Sequence, residues 1–254
     1  MPTASTGDFD PVVVYLALGR EGYRLLTNSL LTMREAGVTS NVVIYGAADE
    51  LEDFQPPIDN CQLVNIVAGA DHFFDWGTAG FSSIMELKLK IISGLLRDFK
   101  DILYVDIDVA WIQNPLDHLR QTMTVYDIVF QREPKSVFPS EPCFGFFAAR
   151  SSPLAISFFQ KQYDLFVERR KLNEAIPVQA TCREFFQLHP SFLKEIHFLS
   201  DYLFPTGPLR PLLLNSAPFP GLIDAGRPYI FHANWIVGGK EKESLLRHLD
   251  LWHL

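Results

Sequence analysis

Two apolar runs bracket a helical segment at the start of the chain, and they limit the fold most. "VVVYLAL" (Val12 to Leu18) is continuous enough to be a strand buried on both faces. "REGYRLLTNSLLTMREAG" follows, with Leu25, Leu26, Ser29, Leu30 and Met33 at helical spacing and Gly37 as the stop. "NVVIYG" (Asn41 to Gly46) predicts a second strand. Strand, helix, strand describes a βαβ unit, so the chain belongs to the α/β class, with a mostly parallel sheet flanked by helices.

The rest of the chain extends this pattern. "CQLVNIV" reads as a third strand, and "AGADHFFDWGTAGF" (Ala68 to Phe81) as a loop over a site. "SSIMELKLKIISGLLRDF" predicts a helix capped by Ser82 or Ser83, with Glu86 in its first turns. "ILYVDID" is a central strand and "NPLDHLRQ" a short helix, with Asn114 as N-cap and Pro115 as first helical residue. "DIVF" and "CFGFFAA" are strands around a polar loop, "QREPKSVFPSEP". "PLAISFFQKQYDLFVERRK" and "VQATCREFFQL" are helices and "EIHFL" is strand-like. The chain closes on "YIFHANWIVGGKEKESLLRHLDLW", a strand, a glycine turn and a helix. No repeat or linker breaks it, and a length of 254 residues suits one α/β domain.

Composition removes several function classes. Hydrophobic residues make up 48% and charged residues 20%, which supports a packed core with most of the 21 phenylalanines inside it. The net charge of −8, without a Lys/Arg run, argues against nucleic acid as a partner. An anionic substrate would then need a metal or local positive charge. Three scattered cysteines, Cys61, Cys143 and Cys182, exclude a disulfide framework and a Cys-type zinc site and fit a reducing compartment. "MPTASTGDFD" lacks an apolar signal core, and no apolar run reaches about 18 residues. The expected location is cytoplasmic, peripheral to a membrane if "LFPTGPLRPLLLNSAPFPG" (Leu203 to Gly221) docks there. The alternative is a Golgi-lumenal catalytic fragment parted from its anchor.

The chemistry concentrates in "ILYVDIDVAWIQNPLDHL". Asp106 and Asp108 follow an apolar strand directly, and an unpaired buried carboxylate is costly. In a parallel sheet, ligands bind beyond the carboxyl ends of the strands. Strand alternation would put both carboxylates on one side, where they suit Mg²⁺ or Mn²⁺ shared with a phosphate. Turn caps or ion pairs with Lys or Arg are the ordinary alternative. "FHANWIVGGKEK" adds His232 after another apolar strand, then Gly238 and Gly239, then Lys240 and Lys242. Imidazole suits Mn²⁺, glycines admit close approach of phosphate, and lysine neutralises it. Alone, His232 would be a satisfied core histidine.

These pieces in this order, with Lys88 in the preceding helix and the "GFF" at Gly145 to Phe147, resemble the nucleotide-diphospho-sugar transferase family of DxD glycosyltransferases. The resemblance runs from about Met85 to Lys242. It implies a GT-A fold over residues 1–254, with a nucleotide-binding half (about 1–110) and an acceptor-binding half that ends in a diphosphate segment (about 111–254). It also implies a divalent metal, Mn²⁺ or Mg²⁺, a nucleoside diphosphate sugar donor, UDP-linked, and a saccharide or other hydroxyl acceptor. Asp108 would hold the metal, Asp106 the metal or the ribose with Ile107 between them, and His232 would be the third ligand. Lys242, with Gly239, would contact the diphosphate, Lys240 being the alternative. Lys88 would lie near the donor. Leu16, Ala17, Leu18 and Gly19 would hold the nucleoside, with Tyr15 or Tyr45 near the base. The resemblance further implies retention by front-face attack, with Gln179 lining the opposite sugar face.

The sequence departs from the family in two places. Cys143 stands where an Asn is usual, and Val178-Gln179 replaces an Asp-Gln pair whose aspartate faces the sugar. Glu174 and Glu133 are candidates to supply that carboxylate. Two rival functions remain. One is a non-catalytic nucleotide-sugar or carbohydrate-binding protein with a degenerate site. The other is a haloacid-dehalogenase-type phosphatase, disfavoured because Ala110 stands where that family wants Thr or Val.

Overall fold

The computed structural model describes residues 9–66, 78–133, 141–209 and 227–254. Its strands are β1 (Val12–Leu16), β2 (Val42–Ala47), β3 (Cys61–Ile66), β4 (Asp101–Val105), β5 (Val109–Trp111), β6 (Ile128–Arg132), β7 (Pro142–Arg150), β8 (Ile196–Phe198) and β9 (Ile230–His232). The principal helices are α1 (Gly19–Glu35), α2 (Ala48–Glu52), α3 (Ala79–Asp98), α4 (Leu116–Met123), α5 (Pro153–Arg170), α6 (Val178–Leu188) and α7 (Gly239–His248). Seven strands form a mostly parallel sheet in the order β3-β2-β1-β4-β7-β6-β8, and β5 pairs with β9 separately. The α/β expectation holds.

The chain forms two compact units. One carries β1 to β3, α1, α2, β5, β9 and α7. Here β1 and β2 run parallel with Val13 opposite Val42, and β2 and β3 with Val42 opposite Cys61. Helix α1 exists because its apolar residues recur on one face. Leu25 of that face packs with Ala110, Phe231, Ala233, Leu246 and Leu251. Polar groups inside are matched. The Trp111 backbone N–H donates to Thr32 Oγ1 (3.1 Å), and its indole donates to the Tyr15 hydroxyl (3.1 Å). Asn28 donates to the Leu251 carbonyl (3.0 Å) and accepts from the His253 N–H (2.7 Å), tying the end of the chain to α1.

The other unit carries α3, β6, β7, β8, α5 and α6. Strands β6 and β7 are antiparallel, with a bulge between Phe130 and Gln131, while β6 and β8 are parallel. Phe130, Phe144, Phe147, Phe158 and Phe159 are buried against one another there, as the phenylalanine content predicts. Full burial of each is worth roughly 1.5–3 kcal/mol. Arg150 donates to the buried Asp101 carboxylate (3.0 Å) and to the Met123 carbonyl (3.2 Å). Ser152 caps α5 by accepting from the Ala155 N–H (3.2 Å).

Four expectations need correction. Helix α3 is capped by Thr78, whose hydroxyl accepts from the Phe81 N–H at 3.1 Å. Ser82 and Ser83 lie inside the helix and donate to the carbonyls of Ile176 and Ala79 (both 3.0 Å). The supposed 131–142 loop is shorter, because Gln131 and Arg132 extend β6 and Pro142 begins β7. Strand β4 stops at Val105, so Asp106 to Asp108 form a turn closed by the Val109 N–H to the Asp106 carbonyl (3.2 Å). That turn, not strand alternation, presents the two carboxylates. Tyr15 is fully buried and shares a hydrogen bond with Ser29 (3.0 Å), which closes it to a base. The expected site loop lies outside the described residues from 68 to 77, and so does most of the expected docking surface, 210–221. No helix among the described residues is long and apolar enough to cross a membrane.

Candidate metal centre

The centre is built by the short β5–β9 ribbon. The Asp106–Asp108 turn leads straight into β5, and β9 runs antiparallel to it with His232 opposite Val109. Two backbone bonds fix the register: the Ala233 N–H donates to the Asp108 carbonyl, and the His232 N–H to the Pro205 carbonyl (both 3.0 Å). Thr206 forms a β-bridge to His232 on its other side. Gly207 must be glycine, since a Cβ there would stand 1.9 Å from the Asn234 carbonyl oxygen. Its N–H donates to Asn234 Oδ1 (2.9 Å).

His232 Nε2 therefore sits 3.2 Å from Asp108 Oδ1 and 3.9 Å from Asp106 Oδ2. One ligand atom from each of Asp106, Asp108 and His232 lies within 4.8 Å of the others. Two ligands at right angles on one ion, each about 2.2 Å from it, stand ~3.1 Å apart. The His232–Asp108 spacing already has that value. Two carboxylates and an imidazole suit Mn²⁺, or Mg²⁺ less closely, so the residues present fit a divalent ion.

The centre also contains a cation of its own. Lys242, in the first turn of α7, donates to Asp108 Oδ2 at 2.6 Å. Asp108 is only 4% exposed and His232 2%. Burial pushes the Asp108 carboxyl up, but Lys242 and His232 outweigh it and hold the group well below the usual carboxylate range. The buried Tyr104 hydroxyl goes the other way, raised by burial and then by Asp106. Lys240 points into solvent. Gly238 adopts φ 93°, a conformation that favours glycine in the turn before α7, and Gly239 packs closely on Glu21, where a Cβ would stand 2.6 Å from Oε2.

The other sequence-derived residues have different surroundings. The Leu16, Ala17 and Leu18 side chains belong to the core, leaving backbone as what that segment presents. The Gly19 N–H, at the start of α1, donates to both Glu50 carboxylate oxygens (2.9 and 3.1 Å). Sequence reasoning missed Glu50; the signal was the acidic "ADELE" immediately after β2. Ile107 packs toward Gly22 of α1, at 3.4 Å from where a Cβ would stand. Lys88 and Gln179 lie in the phenylalanine-rich unit. Lys88 is buried and donates to the Phe144 carbonyl (3.3 Å), while Gln179 opens α6 with its Oε1 buried and without a hydrogen-bond partner among the described residues. Glu133 is buried and Glu174 exposed.

Comparison with known proteins matches this architecture. The chain is 23% identical over 200 residues to a UDP-galactose:fucoside alpha-3-galactosyltransferase of Dictyostelium discoideum, covering 70% of this chain but 29% of that protein. It thus spans less than a third of that relative's length. Among solved structures it resembles the galactosyltransferase LgtC in complex with donor and acceptor sugar analogs. The TM-score is 0.60 at 10% identity, over 96% of this chain and 97% of that one. It also resembles the glycosyltransferase GlyE of Streptococcus pneumoniae, with TM-score 0.55 at 13% identity, over 94% of this chain and 60% of that one. The fold is the GT-A type these structures share. The family model described as nucleotide-diphospho-sugar transferase matches residues 47–246, and the chain is therefore a member of that family.

Proposed function

We propose that the protein is a metal-dependent glycosyltransferase moving a sugar from a UDP-linked donor to a hydroxyl of a saccharide acceptor, with retention. The observation that carries this is the convergence of Asp106, Asp108, His232 and Lys242 on one buried point. Family membership and the UDP-galactose named for the Dictyostelium relative support the donor. A divalent ion bound by Asp106, Asp108 and His232 would neutralise the diphosphate as it leaves. Lys242 would bind a terminal phosphate oxygen, and its charge counts for most where burial keeps water out. The C1–diphosphate bond breaks and the acceptor oxygen bonds to C1 on the same face. The acceptor proton passes to the departing phosphate.

The test is a screen of nucleotide sugars with and without Mn²⁺, read by thermal stabilisation and by release of nucleoside diphosphate. Metal-dependent stabilisation with slow donor hydrolysis is expected. Stabilisation without any turnover, with every acceptor tried, would favour the non-catalytic binding protein.

A further inference from the structure

Resting on the metal-centre reading above, we infer that Lys242 is the resident counter-cation of the acidic site. Its ammonium holds Asp108 until a divalent ion takes that carboxylate, and then passes to the diphosphate. Metal entry and lysine release are one exchange.

The geometry points to this because Asp108 has no spare oxygen. Oδ2 accepts from Lys242 at 2.6 Å, and Oδ1 faces His232 Nε2 at 3.2 Å. At 4% exposure, water cannot stand in for either partner. Without Lys242 a buried carboxylate would lie against a second one, Asp106, which is costly in the absence of metal. With a divalent ion on Asp108, the ammonium would instead face a like charge at contact distance and must leave.

The helix can remain in place while this happens. The Lys242 N–H is bound to the Gly238 carbonyl (3.2 Å), Leu246 is buried in the core, and Glu243 pairs with Arg24 of α1 (2.8 Å). Only the flexible four-carbon stem has to swing, which suits lysine better than arginine. Metal alone therefore binds against the lysine. A nucleoside diphosphate raises metal affinity twice over, by ligating the ion and by giving the displaced ammonium a new partner. The exchange disfavours a metal-loaded site without donor.

The experiment is a calorimetric titration of the full chain with Mn²⁺ alone, then with Mn²⁺ in saturating UDP. Wild type is compared with Lys242→Met and with Lys240→Met, which removes a solvent-exposed charge two residues away. Lys242→Met should bind Mn²⁺ alone at least about tenfold more tightly, the scale of a lost charge-assisted hydrogen bond. Lys240→Met should stay within about twofold, as exposed charges do. The factor by which UDP improves Mn²⁺ binding should be smaller in Lys242→Met than in wild type. Unchanged or weaker Mn²⁺ binding by Lys242→Met overturns the exchange, and so does an equal gain in Lys240→Met, which would mean a general field effect. If wild type and Lys242→Met are folded and neither binds Mn²⁺ with or without UDP, the metal centre itself is wrong and the exchange falls with it. Lys242→Gln replaces the methionine variant should that one fail to fold.

Discussion

Asp108 couples fold to chemistry at the scale of one residue. It touches Lys242 through one oxygen and faces His232 through the other. Asp108→Ala should abolish Mn²⁺-dependent nucleotide binding while leaving a cooperatively folded protein, measured by calorimetry beside thermal unfolding. The same carboxylate has a pH signature. Its folded-state value is depressed below the unfolded value of about 3.9, so the unfolded chain takes the proton first. Its stabilising contribution is complete above pH of about 4 and is lost as pH falls. The stability gap between wild type and Asp108→Asn should therefore shrink as denaturant titrations move from pH 6 toward pH 3. A gap that widens with acid would contradict the assignment.

Elements, rather than single side chains, bring the centre together. The β5–β9 ribbon decides where His232 stands, and its outer support is the Gly207–Asn234 contact. Gly207→Ala should cost about 1–3 kcal/mol by overpacking and weaken Mn²⁺ binding too, because the displaced segment follows His232 directly. Equal metal affinity in a destabilised Gly207→Ala protein would separate the ribbon from the site. In the other unit, Arg150→Ala should lower stability by about 3–5 kcal/mol in urea, since it strands the buried Asp101 carboxylate. These elements were partly legible. Strand and helix periods placed β1, α1, β2 and α6 well, because continuous apolar runs and 3.6-residue spacing are local signals. Asp106, Asp108, His232 and Lys242 were legible as chemistry. Pairing is not local: no pattern near Val109 says that His232 will lie opposite it. The Lys242–Asp108 pair and the Glu50 contact with Gly19 were hidden for the same reason.

For the molecule as a whole, ligand binding should appear as stability. Mn²⁺ with UDP at about 100 times its dissociation constant should add ~2.7 kcal/mol, or a rise in Tm of several degrees for a chain of this size. EDTA should remove the rise; a shift that survives EDTA would mean binding without the ion. The overall charge of −8 repels a diphosphate, so a donor approaching this point should gain from the ammonium of Lys242 and from a bound divalent ion. The distance along the chain between the two halves of that point also has a consequence in time. Lys242 and Asp108 are 134 residues apart. A ribosome adding ~5–20 residues per second makes the aspartate roughly 7–27 seconds before its lysine. For most of that interval the acidic turn has neither His232, which is made ten residues before Lys242, nor Lys242 itself, and must stay hydrated. The nascent chain can therefore assemble its phenylalanine-rich portion early. The Asp108 turn meets its imidazole and its ammonium only after β9 and α7 have left the exit tunnel.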